Sequence, residues 1–465
     1  MSMRKTILVT ALAAAISTSA ISVVSASAVT TTIETQQYSL FVNDAATTVR
    51  TVTVNGVPLV SVRDLGTAVG ALFVINPAGG VTAYFQDHAI DLKASSKQAI
   101  VDGTSVDLQA AVEAVNQSYY IKLEDFVQAL GVDTSVDDAG KVWVDAVQKI
   151  QADQASWIDA GHLLASQVTE DGRVDYVVDA ATGSYKQLLN STEASGLTIA
   201  PNGSKAAYTV QDGAVYVVDL AKGNSAEVTT DNTIKPELVW SADSSSIYFL
   251  QGDKGSVIAK LNPADGTITK VLDDKVDYKS NLSVSADGKS FIYTVIKPGA
   301  VTADASKPVD SDDVAIDMTG TEPHFYSYDS SVKDGKPVKL TATADDKIYV
   351  GATADAGKAI YVSVEDSRPS SLIAVAKDKT VTKLIDDKDV LQAVVAGDIA
   401  FALVDGASEE EIYEVNLTSG AKKLVANVPA DVTEIIAAPG TPLAIVQNGQ
   451  VLVNHDGTWK KVTKS

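Results

Sequence analysis

Three of the four histidines, His162, His324 and His455, lie far apart in a chain that holds no cysteine, so they are the side chains best suited to a transition metal. Brought together they would form a metal centre; left apart they are ordinary surface histidines. A second constellation is acidic. Asp310, Asp312, Asp313 and Asp317 fall within eight residues and could offer carboxylate oxygens to calcium, a hard cation. Their spacing lacks the glycine and glutamate of an EF-hand loop, and a solvated acidic loop is the plainer reading. No other cofactor is expected. Nucleophilic chemistry has no foothold, because no Gly-x-Ser-x-Gly elbow and no phosphate-cradling glycine loop occurs. Paired carboxylates are abundant but unlocalised.

The elements that must position these residues declare themselves by repetition. WIDAGHLLASQV, LTIAPNGSKAAYTV, LVWSADSSSIYFL, LSVSADGKSFIYTV, YVGATADAGKAIYVSV, LQAVVAGDIAFALV and IIAAPGTPLAIVQ each read as a strand, a tight turn and a second strand. Turn positions are Gly161, Gly203, Ser244, Gly288, Gly357, Gly397 and Gly440, at intervals of 42, 41, 44, 69, 40 and 43 residues. A period near 42, with four strands per unit, predicts seven blades over 154–465. In the turns Asp or Asn supplies an acceptor and Gly a positive φ. With no strand exchanged between the ends, closure is expected from packing between the first and seventh units.

The one long interval exceeds the period by about 27 residues, which lie in 297–323. This stretch, rich in Pro, Gly and Asp, is expected as a surface loop between the second and third strands of the fourth unit. The acidic quartet lies in it. The histidines take different places: His162 opens a second strand, His324 opens a third and His455 ends a third. Trp157 and Trp240 fall near first strands, while Tyr176, Tyr216, Tyr248, Tyr293, Tyr326, Tyr361 and Tyr413 recur along other strands as packing residues.

"WSADsssIYFL" and "vSADGKsfIYtV" resemble the TolB-type, WD40-like propeller repeat. An alternative function then follows from the resemblance: some propeller lyases hold a metal in the channel, which would make this chain a metal-dependent hydrolase or lyase of an extracellular polymer.

The N-terminal third carries its own repeat. LVSVRDLGTAVG (59–70) returns as YIKLEDFVQALG (120–131) at an offset of 61, with Asp64/Asp125, Ala68/Ala129 and Gly70/Gly131 identical. Ser61 and Asp64 stand at capping-box spacing, and Leu65, Ala68, Val69 and Leu72 form one apolar face. Each copy reads as strand, turn, short helix, strand, strand, with a glycine ending each helix. With its Val54-Asn55-Gly56 turn, the stretch 38–147 resembles the copper amine oxidase N-terminal, or stalk, domain of secreted Gram-positive proteins, an accessory α+β module that is not itself catalytic. Ser61 and Lys122 replace the proline usual there. Copper amine oxidation is not implied: no Asn-Tyr dipeptide and no His-x-His occurs.

Two positive charges, an apolar run from Thr6 to Val24 and Ala26-Ser27-Ala28 read as a signal peptide over 1–28. Without it 437 of the 465 residues remain, and the net charge passes from −22 to −24 because Arg4 and Lys5 leave with it. Such an acidic chain is a poor partner for nucleic acid, and no later segment would span a bilayer. The expectation is therefore a mainly β, secreted or surface-associated protein. It has a small duplicated α+β domain over 29–148, a connector near 148–154 and a seven-bladed β-propeller over 154–465. Its expected role is non-catalytic: binding a protein or a cell-wall or extracellular glycan on the propeller's loop face.

Overall fold

A computed structural model describes residues 33–464, apart from 44, 77–78, 86–87, 138–139, 147–148, 153 and 303–314. The leader expected over 1–28 and Asp310, Asp312 and Asp313 lie outside the described residues. The chain is mainly β, with two short helices among the described residues, and divides into the compact units Met1–Gln148 and Lys149–Ser465.

In the first unit, strands Ala45–Val54 and Val57–Ser61 form a hairpin whose two turn residues, Asn55 and Gly56, both take positive φ. That is the turn whose twist suits adjacent antiparallel strands. Glu113–Val115 and Ser118–Ile121 repeat it 61 residues on, across Asn116 and Gln117. Helices Val62–Val69 and Leu123–Ala129 follow at the same offset, and then Leu72–Ile75 and Asp133–Val136. Val60 pairs with Ile121, the residue 61 positions on, so the two hairpins adjoin at that pair.

The expected capping box is half made. Ser61 Oγ accepts the Asp64 N–H at 3.2 Å, but the Asp64 carboxylate turns to Arg50, taking its backbone N–H at 2.9 Å and its guanidinium at 2.8 and 2.6 Å. Asp125 likewise accepts the Gln109 N–H at 2.9 Å. The shared aspartate thus ties each helix start to a strand or loop backbone N–H, which accounts for its identity in both copies. The copies differ where the helix meets the next strand. Gly66 leaves room for the Phe73 ring, which a Cβ there would overlap; their counterparts are Val127 and Thr134. Leu72, expected on the helix's buried face, instead opens the strand and is 73% exposed.

The first unit holds a seven-stranded sheet and a five-stranded sheet, the latter running from Leu72–Ile75 to Thr104–Asp107. One core that includes Leu40, Val60, Leu65, Ile90 and Phe126 serves the helices and the sheets.

The second unit contains seven four-stranded antiparallel sheets in chain order, here sheets I to VII: 154–191, 198–229, 238–272, 279–339, 346–385, 390–428 and 432–461. None closes on itself. Side chains alternate along each strand, so each sheet has two apolar faces. In Ile247–Gln251, Ile247 and Phe249 join a cluster with sheet II, whereas Tyr248 and Leu250 join one with sheet IV. A further cluster packs Trp157, Leu163 and Val178 of sheet I against Ala444, Val446 and Val453 of sheet VII.

Packing is not the only link between first and last sheets. The expected connector is divided: Ile150 and Ala152 are core residues of the second unit, and Gln151 forms a parallel bridge with Lys464. Lys464 N–H donates to Ile150 O and Thr463 Oγ1 to Ala152 O, each at 2.8 Å.

The recurring Asp-Gly turn acts as read from the sequence. Asp159, Asn202, Asp243, Asp287 and Asp355 each accept the N–H two residues on, at 2.8 to 3.1 Å. Positive φ falls at Gly203, Gly288, Gly397 and Gly440, but at Ser244 in sheet III and at Ala356 rather than Gly357 in sheet V. The long interval in sheet IV is more than a loop. Ala300–Thr302 pairs with Ala315–Asp317 as a small hairpin of its own.

Gly66→Val should destabilise the first unit by about 1–3 kcal/mol through overpacking against Phe73. Adding Phe73→Thr, which recreates the second copy's pair, should recover part of the loss in urea unfolding.

Candidate functional site

In an antiparallel four-stranded sheet the fourth strand ends where the first began, and the turn between strands two and three lies at that same end. All chain connections from sheet to sheet, and the sheet IV insertion, therefore share one end of the sheets. The turns between strands one and two share the other.

Three lysines sit at the connection end, each near the start of a first strand and each with a fully buried side chain. Lys235 Nζ donates to Asp231 O, Gly213 O and Thr233 O at 2.7 to 2.8 Å and to Asp231 Oδ1 at 3.0 Å. Lys279 Nζ reaches Ser256 O at 2.8 Å, Asp274 Oδ1 at 2.7 Å and Val276 O. Lys347 Nζ reaches Asp345 O at 2.7 Å, Thr343 O at 2.8 Å and Asp345 Oδ1 at 2.9 Å. An ammonium has three donors, and burial is tolerable only when they are served. Lys235 and Lys279 have at least three hydrogen-bond acceptors each, while Lys347 makes two hydrogen bonds and meets Asp345 Oδ1 as an ion pair outside hydrogen-bond geometry. Gly213 and Ser256 belong to the strand two to three turns of sheets II and III, so Lys235 and Lys279 pin each incoming connection to the preceding sheet.

Side chains also join neighbouring first strands, which touch from II through VII and from VII back to I. Glu237 Oε1 accepts Leu282 N–H at 2.8 Å, Gln392 Oε1 accepts Ile435 N–H at 2.6 Å, and Tyr349 O–H donates to Ser283 Oγ at 2.6 Å. Trp240 donates to Thr198 O at 2.9 Å and Trp157 to Ile436 O at 3.3 Å. Burial raises the Glu237 carboxyl against the pull of the Leu282 and Asn281 N–H groups, and it pushes the Tyr349 phenol well up.

Two more buried charged groups lie on third strands, Asp175 in mid-strand and Glu410 at the start of its strand at the connection end. Asp175, fully buried, is held by Arg173 at 2.6 and 2.9 Å and by Ser166 Oγ at 2.6 Å. Glu410 is less well served: it is 9% exposed, and its Oε2 has no hydrogen-bond partner among the described residues. Burial, then repulsion from Asp405 and Asp431, raises its carboxyl above the usual range.

The sequence candidates distribute differently. His324 opens a third strand and lies at the connection end, half-buried, with Nδ1 3.4 Å from Thr341 Oγ1. Burial and the Lys339 and Lys347 charges lower its pKa. His162 opens a second strand and His455 closes a third, which places both at the opposite end of the sheets. His162 is exposed beside Asp159 at 2.9 Å, and His455 Nε2 lies 3.0 Å from Ala180 O, bridging sheets VII and I. Among the described residues no three His, Asp or Glu side chains gather in a way that could hold a metal. Asp317, in the insertion hairpin, accepts the Thr319 N–H at 2.9 Å. The caged lysines escaped sequence reading because each reaches its aspartate over a different spacing, among 37 basic and 59 acidic residues.

Residues 41–144 match the copper amine oxidase N-terminal domain family. No curated protein matches the chain in sequence. Solved structures similar to it are TolB-like and propeller proteins. TolB from Acinetobacter baumannii is 13% identical at a TM-score of 0.39, covering 77% of this chain and 80% of that one. The β-propeller domain of the Trilobed protease from Pyrococcus furiosus is 12% identical at 0.46, covering 68% and 97%. An oligogalacturonate lyase in complex with manganese is 15% identical at 0.45, covering 64% and 84%.

Lys279→Met should cost about 3–5 kcal/mol, since it leaves Asp274 and two carbonyls without their buried partner; chemical denaturation reads the loss. Glu410 has the opposite sign. Its folded pKa lies above the unfolded value, so its cost is absent at low pH and grows as pH rises through the unfolded value towards the folded one. Glu410→Gln should therefore raise the melting temperature at pH 8 and change it little at pH about 4, near the unfolded pKa of glutamate.

Proposed function

We propose that the chain is an exported, non-catalytic binding or scaffold protein. In this reading a seven-bladed β-propeller holds a protein or glycan ligand on its connection end, and a duplicated stalk-like module presents it at the cell surface. Support for the blade count is the succession of seven four-stranded sheets, with an apolar cluster joining the last to the first. The apolar run from Thr6 to Val24 followed by Ala26-Ser27-Ala28 supports export.

The observation that carries the binding reading is where the repeat departs from regularity. The insertion falls at the connection end of sheet IV, above a floor stiffened by Lys235, Lys279 and Lys347. A variable loop on a rigid floor is how binding surfaces are commonly built.

A thermal-shift screen of the full chain against cell-wall and extracellular polysaccharide fragments, peptides and calcium tests this. A native-state ligand must raise the melting temperature. The expected result is a rise with a glycan or peptide that is lost on replacing 300–317 by a short Gly-Ser linker, while the basal melting temperature stays. A rise that survives the replacement would place binding elsewhere and overturn the reading. A shift with calcium alone would make the acidic insertion an ion loop.

A further inference from the structure

The largest side-chain exposures among the apolar residues of the first unit gather on one strand. Among the described residues Leu72–Ile75 is an edge of the five-stranded sheet, paired only with Val81–Phe85. Leu72 is 73% exposed, Val74 53% and Ile75 78%. Pairing places Leu72 beside Tyr84 and Val74 beside Thr82, and Asp91 of the next strand lies beside Ile100. Leu72, Val74, Tyr84 and Ile100 therefore share the outer face, where Tyr84 is 47% and Ile100 44% exposed. Every second N–H and C=O of the edge also faces away from its one partner, and natural proteins usually blunt such an edge with charge or proline.

The second copy shows that the fold does not require this. The strand 61 residues on, Asp133–Val136, is also a sheet edge, and it carries Asp133, Thr134 and Ser135 where the first copy has Leu72, Phe73 and Val74. In the first strand Phe73 packs against the helix at Gly66 and is partly buried, whereas Leu72, Val74 and Ile75 are exposed. The contrast extends to the flanks. Residues 65–86 contain no charged side chain, whereas the corresponding 126–147 contain Asp133, Asp137, Asp138, Lys141 and Asp145.

We propose that this edge is a self-association surface, at which Leu72–Ile75 of two copies pair antiparallel about a two-fold axis and join their five-stranded sheets into one. The charge pattern selects this occupant. At a net charge of −22 two copies repel over most of their surface, and a neutral stretch is where they approach without that penalty. An isologous contact must be self-complementary, which a short uncharged apolar strand satisfies and a charged one does not. Pairing satisfies the open backbone groups of both copies and brings Leu72 and Val74 of each against the other on the outer face. Two ligand-holding units in one particle would also raise avidity for a repetitive surface polymer. That consequence rests on the proposed function; the self-association does not.

Sedimentation velocity across a concentration series, on the full-length protein as its host produces it, tests the proposal. The expected result is a concentration-dependent dimer, weakened at least about tenfold by Val74→Lys or Leu72→Lys, because like charges then face each other across the ladder. Both side chains are exposed, so the melting temperature should hold at concentrations where the protein is monomeric. Ser135→Lys on the counterpart edge should leave the dimer intact. Amide exchange at Phe73 and Ile75 should slow as the dimer forms. A protein that stays monomeric at every concentration, or a dimer indifferent to Val74→Lys, would overturn the proposal; an edge that protects only when a foreign peptide or glycan is added would assign it to another partner.

Discussion

Each four-stranded sheet of the second unit is apolar on both faces, and no such sheet can satisfy both faces alone. Sheet III shows the constraint in one strand, with Ile247 and Phe249 buried against one neighbour and Tyr248 and Leu250 against the other. A linear stack would leave two faces in water. The cluster of Trp157, Leu163, Val446 and Val453 removes that defect by joining last to first. The Gln151–Lys464 bridge and the Trp157 to Ile436 hydrogen bond then fix the register of the join.

Burying both faces leaves polar work for the sheet ends, and the two ends solve it differently. At the hairpin end, side chains such as Asp243 and Asp287 cap the turns locally, and hydrogen bonds from neighbouring serines hold the exposed Asp243 carboxyl down at about 2. At the connection end the chain must cross from one sheet to the next, exposing carbonyls that no strand can pair. Lys235, Lys279 and Lys347 fill that gap with ammonium donors drawn fully out of water. The connection end is thus tied together by buried ammonium donors, whereas Glu410 at the same end keeps a buried oxygen with no hydrogen-bond partner among the described residues.

In the first unit the two segments 61 residues apart share some positions and differ at others. Asp64 and Asp125 stay the same because each satisfies a strand or loop N–H. Gly66 leaves room for the Phe73 ring where the second copy has the larger Val127 and the smaller Thr134, so volume is exchanged between helix and strand. The two edges carry Leu72 and Val74 in one segment and Asp133 and Ser135 in the other, so the fold accepts an apolar or a polar edge.

Periodicity and turn chemistry carried most of the architecture in the sequence. The Asp-Gly turns at intervals near 42 residues and the 61-residue offset are local patterns, and local hydrogen bonding and alternation are what a linear chain displays directly. The same spacing located the insertion in sheet IV and the strand positions of His162, His324 and His455. What the sequence could not show was which ends of those strands coincide. That separation of His324 from the other two histidines follows from strand direction within a folded sheet, as does the gathering of three lysines. Each lysine meets carbonyls from a turn or connection whose distance along the chain varies, and only the packed sheets bring those oxygens to one point. The exposed Leu72 belongs to the same class. Its spacing suited a helix face, but the left-handed Gly70 ends the helix first, and the fold turns the side chain outward.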